Sequence, residues 1–364
     1  MKHLSLFIVL MLSLSVGQAV AQNVQLPRSS PRAEVVQEVG LSQVRVRYSR
    51  PAVAGREGKL WGSLVHYGLK DLGFGTSKAS PWRAGANETT QITFSDQVQI
   101  EGQGLPAGTY GLYMILEEGE NVTVIFSKNA TAWGSYFYDP SEDALRVQVR
   151  WRSAPYTERL TYDFTQVNEN QAIMALRWEK REIPIQIRFD TEQVVLQRLR
   201  RELQGVAGFS WQGYYQAARY CLDKKTNQEE GLRWISASIG LQANFNNHKT
   251  KAELLNQLGR DVEAEVAMRE ALTYADAQQI HQYGRTLIME KKIEQAVRIF
   301  EMNANRNPDT WPVNVGLARA YSAQGNFKKA LRYARIAAAE APNEQERTNI
   351  AEMIRKLERN QDIN

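Results

Sequence analysis

Residues 283–308 read YGRTLIMEKKIEQAVRIFEMNANRNP, and 34 residues on, residues 317–342 read LARAYSAQGNFKKALRYARIAAAEAP. Aligned, the two place Tyr283 with Leu317, Gly284 with Ala318, Leu287 with Tyr321, Lys291 with Gly325, Ile293 with Phe327, Ala296 with Ala330, Asn303 with Ala337 and Pro308 with Pro342. Apolar residues recur at helical spacing in both halves of each stretch. The small residues at 284/318 and 296/330 let two helices approach closely, and the prolines stop the second helix. A repeat of this length is a helix–turn–helix unit that cannot bury its apolar face alone and stacks on its neighbours. One unit earlier, Ala252, Leu255, Gly259, Ala264, Met268 and Ala271 keep the pattern at a spacing of 32. A hairpin over Trp211–Leu241 agrees more loosely through Leu222, Gly231 and Ile235, and Glu344–Leu357, with Ile350, Ile354 and Leu357 apolar, reads as a solvating cap.

These positions resemble tetratricopeptide repeats. The resemblance implies a groove for a peptide or partner protein, lined by the first helix of each unit: Asn244, Asn247, Lys251, Gln282, Arg285 and Arg319. The alternative is a short array that packs against the rest of the chain and binds nothing.

Towards the N-terminus the pattern changes at a seam near residue 190. Val44, Val46 and Tyr48 alternate with Arg45 and Arg47, as in a half-buried antiparallel strand. The same reading gives strands at Ile92–Phe94, Val98–Ile100, Tyr110–Leu116, Val122–Phe126, Leu145–Trp151, Leu160–Phe164, Ile173–Trp178 and Ile183–Phe189. Turns at Glu101–Gly104, Pro106–Gly108, Glu118–Glu120 and Asp139-Pro140 separate them. Short strands at this spacing without intervening helix predict an all-β sandwich or jelly-roll over residues 22–190. Thr191 opens a connecting helix over 191–204, and the helical array occupies 205–364, giving a two-domain chain.

Two stretches break the alternation. Tyr48-Ser49-Arg50-Pro51 leads to Gly55-Arg56 and Leu60-Trp61-Gly62. Gly73–Lys78 leads to Pro81-Trp82-Arg83-Ala84-Gly85-Ala86-Asn87-Glu88. Together with Pro106–Tyr110, Trp133-Gly134, Asp143–Val147 and Leu176–Glu179, these segments resemble a secreted bacterial family, domain of unknown function 2911, over about residues 25–190. That resemblance supports export and the domain boundary and implies no catalytic residues. Long connections that keep Trp and Arg beside Gly are ordered and often functional. Tyr48, Trp61, Trp82 and Trp133 offer stacking surfaces, Arg50, Arg56 and Arg83 offer forks for a carboxylate or sugar hydroxyl, and Asn87 and Glu88 add polar contacts, a set suited to a glycan or small ligand. In the competing arrangement the arginines bond loop carbonyls and Glu88 while the tryptophans cap the open end of the sandwich.

The start of the chain has the parts of an export signal: Lys2, an apolar run over Leu4–Val16, and Ala19-Val20-Ala21 before Gln22. The apolar run is too short to span a bilayer. Cleavage near Ala21 is expected to leave an exported chain without a membrane span, periplasmic or secreted. Cys221 is the only cysteine, so no intrachain disulfide forms, and its place among Ala218, Tyr220 and Leu222 suits a small buried hydrophobe. Residues 22–190 carry 19 Lys and Arg against 19 Asp and Glu, and the helical remainder carries 25 against 21 along helix faces. No basic stripe is concentrated enough for nucleic acid.

Catalytic signatures fail one by one. His66, His248 and His281 stand apart, so no metal site or cofactor is expected. Gly208–Gly213 frames Ser210 with one residue too many for a nucleophile elbow. Gly73–Lys78 lacks a phosphate-loop ending. Glu88 with Glu101 or Asp96 has no spacing that marks a glycosidase pair. The expectation is a non-enzymatic protein, with a sugar- or ligand-binding sandwich as the alternative function.

Overall fold

The computed structural model describes residues 26–308 and 311–364, so the expected export signal lies outside the described residues. The chain divides into two compact units between Leu196 and Gln197.

The first unit is a sandwich of two antiparallel sheets. Its strands are β1 (Arg32–Val39), β2 (Ser42–Ser49), β3 (Thr90–Phe94), β4 (Val98–Ile100), β5 (Gln103–Leu105), β6 (Gly108–Leu116), β7 (Asn121–Ser127), β8 (Asp143–Arg150), β9 (Arg152–Thr165) and β10 (Gln171–Phe189). One sheet runs β1-β2-β3-β6-β7-β8 and the other β5-β4-β10-β9. Inward-facing Val44, Val46, Ile92, Phe94, Leu112 and Met114 of the first meet Ile100, Leu160, Met174, Leu176, Trp178 and Ile187 of the second in one core. Each fully buried side chain of this size contributes about 1.5–3 kcal/mol.

Three features depart from the sequence reading. β1 was not expected, because as an edge strand its inward side chains are only half-buried and its alternation is weak. β5 occupies the second half of an expected turn, as a short hairpin with β4. The strands expected at 173–178 and 183–189 are one strand of 19 residues, β10. Bulges at Arg177/Glu179 and Glu179/Arg181 absorb its polar middle. There Glu182 turns to Arg177 and Arg152, and Glu179 turns to Trp61. Pro184 falls where β10 leaves β9, after Glu182, and before it reaches β4 at Ile187, so its missing N–H interrupts neither ladder.

The β1–β2 hairpin turns at Gly40, with φ +59°. A β-carbon there would stand 2.6 Å from Thr191 Cγ2 and 2.7 Å from the Glu169 carbonyl, so both backbone conformation and space require glycine.

The long β2–β3 connection is part of the sheet. β3 pairs with β6 only as far as Thr90 opposite Leu112, leaving the last residues of β6 without that neighbour. Trp82 takes the place: its N–H donates to the Met114 carbonyl at 2.9 Å and its carbonyl accepts from Met114 N–H at 2.8 Å. Further along, Gly68 N–H donates to Leu116 O at 2.8 Å. Buried backbone groups must be paired, and this connection pairs them.

α1 (Thr191–Glu202) runs across the division between the units. The second unit then holds α2 (Trp211–Lys224), α3 (Gln228–Leu241), α4 (Phe245–Gln257), α5 (Asp261–Tyr274), α6 (Ala277–Met289), α7 (Ile293–Arg306), α8 (Val313–Ala323), α9 (Phe327–Glu340) and α10 (Glu344–Glu358). Consecutive helices pack as the hairpins α2/α3, α4/α5, α6/α7 and α8/α9, with α10 against α9, a tetratricopeptide-like array. Asn244 with Asn247 and Asp276 with Gln279 form capping boxes that start α4 and α6. The turn inside each of the last three hairpins has one left-handed residue, Gly259, Lys291 and Gly325 in turn, so Lys291 adopts a conformation its neighbours meet with glycine. Cys221 is buried. Among the described residues, no helix is long and apolar enough to cross a membrane.

Candidate functional site

The expected ligand residues of the sandwich are mostly engaged within the fold. Arg50 Nε donates to Leu160 O at 3.0 Å and its Nη2 to Thr161 Oγ1 at 2.6 Å, tying the connection to β9. Arg56 closes its own loop on Val53 O and Ala52 O. Arg83 donates to Asn87 O at 2.8 Å and lies over the Tyr136 ring. Asn87 Nδ2 donates to Ser30 O. Trp82 is 7% exposed, stacked on Trp178 and edge-on to Trp61, with Nε1 donating to Gly85 O. It has no face left for a sugar. Trp133, at 54%, is the one aromatic of the expected set that remains well exposed, and Arg56 is exposed as well.

Tyr48 and Glu88 do come together, in an open depression of about 680 Å³ that Arg32, Arg47, Ser49 and Gln91 also line. Tyr48 itself is buried against Tyr162, and its hydroxyl accepts from Tyr162 N–H. Burial pushes the Glu88 carboxyl up, but the hydrogen bonds from Arg28 and Arg32 outweigh it and hold the group down at about 2. Arg28 Nη1 reaches both carboxylate oxygens, at 2.7 and 3.0 Å. Sequence reasoning missed these two arginines: one precedes β1 and the other opens it, and β1 carried no clear alternation to place them.

The helical unit has a second cavity, about 470 Å³, between α6, α8 and α10. Gln282 and Arg285 of α6 and Arg319 of α8, all expected groove residues, line it with His281, Met353 and Lys356. Successive first helices bring Arg285 and Arg319, one repeat apart, to the same wall. Burial, then the neighbouring Arg285 charge, push the Arg319 guanidinium below its ordinary value. Burial first, and then both arginines, lower His281 to about 4, so it is neutral at pH 7. The Arg285 side chain is exposed and, among the described residues, makes no hydrogen bond or ion pair. The wall can therefore accept hydrogen-bond acceptors and negative charge without first breaking an internal pair at Arg285.

The other three expected groove residues lie elsewhere. Asn247 is fully buried, donating to Gln242 O at 2.8 Å and Ser238 Oγ at 3.3 Å, and with Asn244 it caps α4. Lys251 lies one turn further along α4, outside the cavity lining. α10, expected only as a solvating cap, supplies one side of the cavity through Ile350, Met353 and Lys356.

Residues 30–187 match the model of a family described as a protein of unknown function, DUF2911, and the N-terminal part of the chain resembles that family. The C-terminal helical part resembles tetratricopeptide-repeat proteins of known structure. One is pilF of Pseudomonas aeruginosa, at 16% identity over 42% of this chain and 69% of that one, with a TM-score of 0.30. Another is YrrB, a TPR protein with an unusual peptide-binding site, at 16% identity over 44% and 83%, with a TM-score of 0.29. A third is a tetratricopeptide repeat protein from Parabacteroides merdae, at 15% identity over 47% and 68%, with a TM-score of 0.31. No curated protein matches the chain.

Proposed function

We propose that the chain is an exported, non-enzymatic protein that holds a partner protein or peptide in the groove between α6, α8 and α10. The observation that carries this reading is the placing of Gln282, Arg285 and Arg319 on one cavity wall, with the Arg285 side chain exposed and unpaired among the described residues. Stacked hairpins present such a wall as a consequence of repetition, because equivalent positions on successive first helices face the same way. Export rests on the Lys2, Leu4–Val16 and Ala19-Val20-Ala21 pattern. An envelope scaffolding or assembly role follows from export and partner binding together.

The test is retention from an envelope extract by immobilised residues 22–364, compared with the same chain carrying Gln282→Ala and Arg285→Glu. Both residues are exposed, so folding is expected to survive. A discrete protein held by the parent and lost from the double variant supports the reading, and equal retention by the two contradicts it.

A further inference from the structure

The groove is already partly occupied, by the chain itself. After α10 the backbone turns at Asn360, with φ +54°, and residues 361–364 lie back against α8. Ile363 is 7% exposed, belongs to the same apolar cluster as Leu317, Tyr321 and Met353, and forms part of the cavity wall. Its carbonyl accepts from Arg319 Nη1 at 3.0 Å and its N–H donates to Ser322 Oγ at 3.1 Å. Ser322 Oγ in turn donates to Asp362 Oδ1 at 2.6 Å. Asn364 Nδ2 donates to the Arg319 carbonyl at 3.0 Å.

These are the contacts of a bound peptide. The Ile363 carbonyl is met by Arg319, its N–H is shared between Ser322 Oγ and, at 2.8 Å, Asp362 Oδ1, and its aliphatic side chain is buried; Asp362 and Asn364, themselves joined at 2.8 Å, reach Ser322 and the Arg319 carbonyl on either side of it. Gln361 N–H donates to Lys356 O at 3.0 Å and closes the end of α10, while residues 362–364 belong to no helix or strand and, among the described residues, make no backbone–backbone hydrogen bond. Beside them the cavity stays open, with Arg285 unpaired next to Arg319.

We infer that this end of the groove is a site for an extended peptide of the pattern acid–aliphatic–amide, and that Asp362–Asn364 is its resident occupant, which a partner segment of the same chemistry displaces. The inference rests on the groove reading above and names the partner class and the regulation of that site. A tethered occupant competes at an effective concentration in the millimolar range. Apparent affinity for an outside peptide is lowered by the fraction of molecules whose site is filled.

The probe is a fluorescein-labelled synthetic peptide of residues 357–364, LERNQDIN, titrated by anisotropy against three proteins: residues 22–364, the same chain lacking residues 361–364, and the chain carrying Ile363→Asp. Both altered chains are expected to bind the peptide about tenfold or more tighter than the parent. A peptide carrying the equivalent of Asp362→Ala or Ile363→Asp is expected to lose that gain. Folded altered chains that bind no better than the parent overturn the inference. So does failure of both altered chains to fold, because an exchangeable occupant is not required for the fold. If retention from the extract depends on Arg285 but is unchanged by removing residues 361–364, the groove reading stands and this inference fails. If retention depends on neither, both fail.

Discussion

The ring of Phe300 fills the space that a side chain on Gly284 would need: a β-carbon there would stand 2.5 Å from Phe300 Cζ. A β-carbon on Gly316 would stand 2.3 Å from Cδ1 of the same ring. Phe300 on α7 is thus clasped between its own hairpin partner α6 and the first helix of the next unit, α8, and it is fully buried. Stacking of successive repeats depends on this ring and the two missing side chains. Gly284→Ala gains about 1 kcal/mol of helix propensity but forces the ring aside in a close-packed core, at about 1–3 kcal/mol. The expected net result is a lower thermal midpoint for the helical unit. Adding Phe300→Leu should restore part of the loss, as a double-mutant cycle read by calorimetry would reveal.

Glu179 holds the connection between β2 and β3 in the same sense. Its carboxylate accepts from Trp61 Nε1 at 2.7 Å and from Gly58 N–H at 2.5 Å, and the residue is 7% exposed. Glu179→Gln turns an amide NH2 towards one of these donors, at a cost of about 1–3 kcal/mol. Proteolysis near Gly55–Gly62 should quicken in the variant while the parent resists.

His281 sets a pH limit for the helical unit. In the folded unit burial and the charges of Arg285 and Arg319 hold it near 4, against an ordinary value of 6.5. Between those values the unfolded chain binds more protons than the folded one. Stability is therefore full above about pH 6.5 and falls as pH drops through 4, by on the order of 2 kcal/mol from this residue. His281→Gln should flatten that part of the curve in denaturant titrations at pH 7, 5 and 4.

Glu88 gives the sandwich a lower limit. Held at about 2 against an ordinary 4.5, its carboxylate contributes stability that is complete above 4.5 and is lost as pH falls to 2. Glu88→Gln should cost about 1–2 kcal/mol at pH 7, a modest figure because both arginines approach from the solvent side, and almost nothing at pH 2. Equal losses at the two pH values would contradict the Arg28–Glu88–Arg32 clamp.

Periodicity made the two architectures legible, because alternation at Val44–Tyr48 and the match of Ala296 to Ala330 each report a buried face directly. It failed where tertiary pairing overrides local pattern. β1 is an edge strand with little apolar contrast, and the polar middle of β10 stays in the sheet only because Glu179 and Glu182 find donors on distant segments. Repeat spacing explains why Gln282, Arg285 and Arg319 share one cavity wall. Asn247 went astray because a residue on the first helix of a unit can also serve its N-terminal cap. Trp82 and Arg50 read as exposed ligands because composition does not distinguish a stacking surface from a core side chain. That difference depends on β6 extending past β3 and recruiting Trp82.

The most direct test of the account is retention from an envelope extract by the parent chain and by the Gln282→Ala, Arg285→Glu variant, with Trp133→Ala run beside them. The expected result is a discrete protein held by the parent and by Trp133→Ala and lost from the groove variant. Retention that survives the groove variant and disappears with Trp133→Ala would contradict it and move the function to the sandwich.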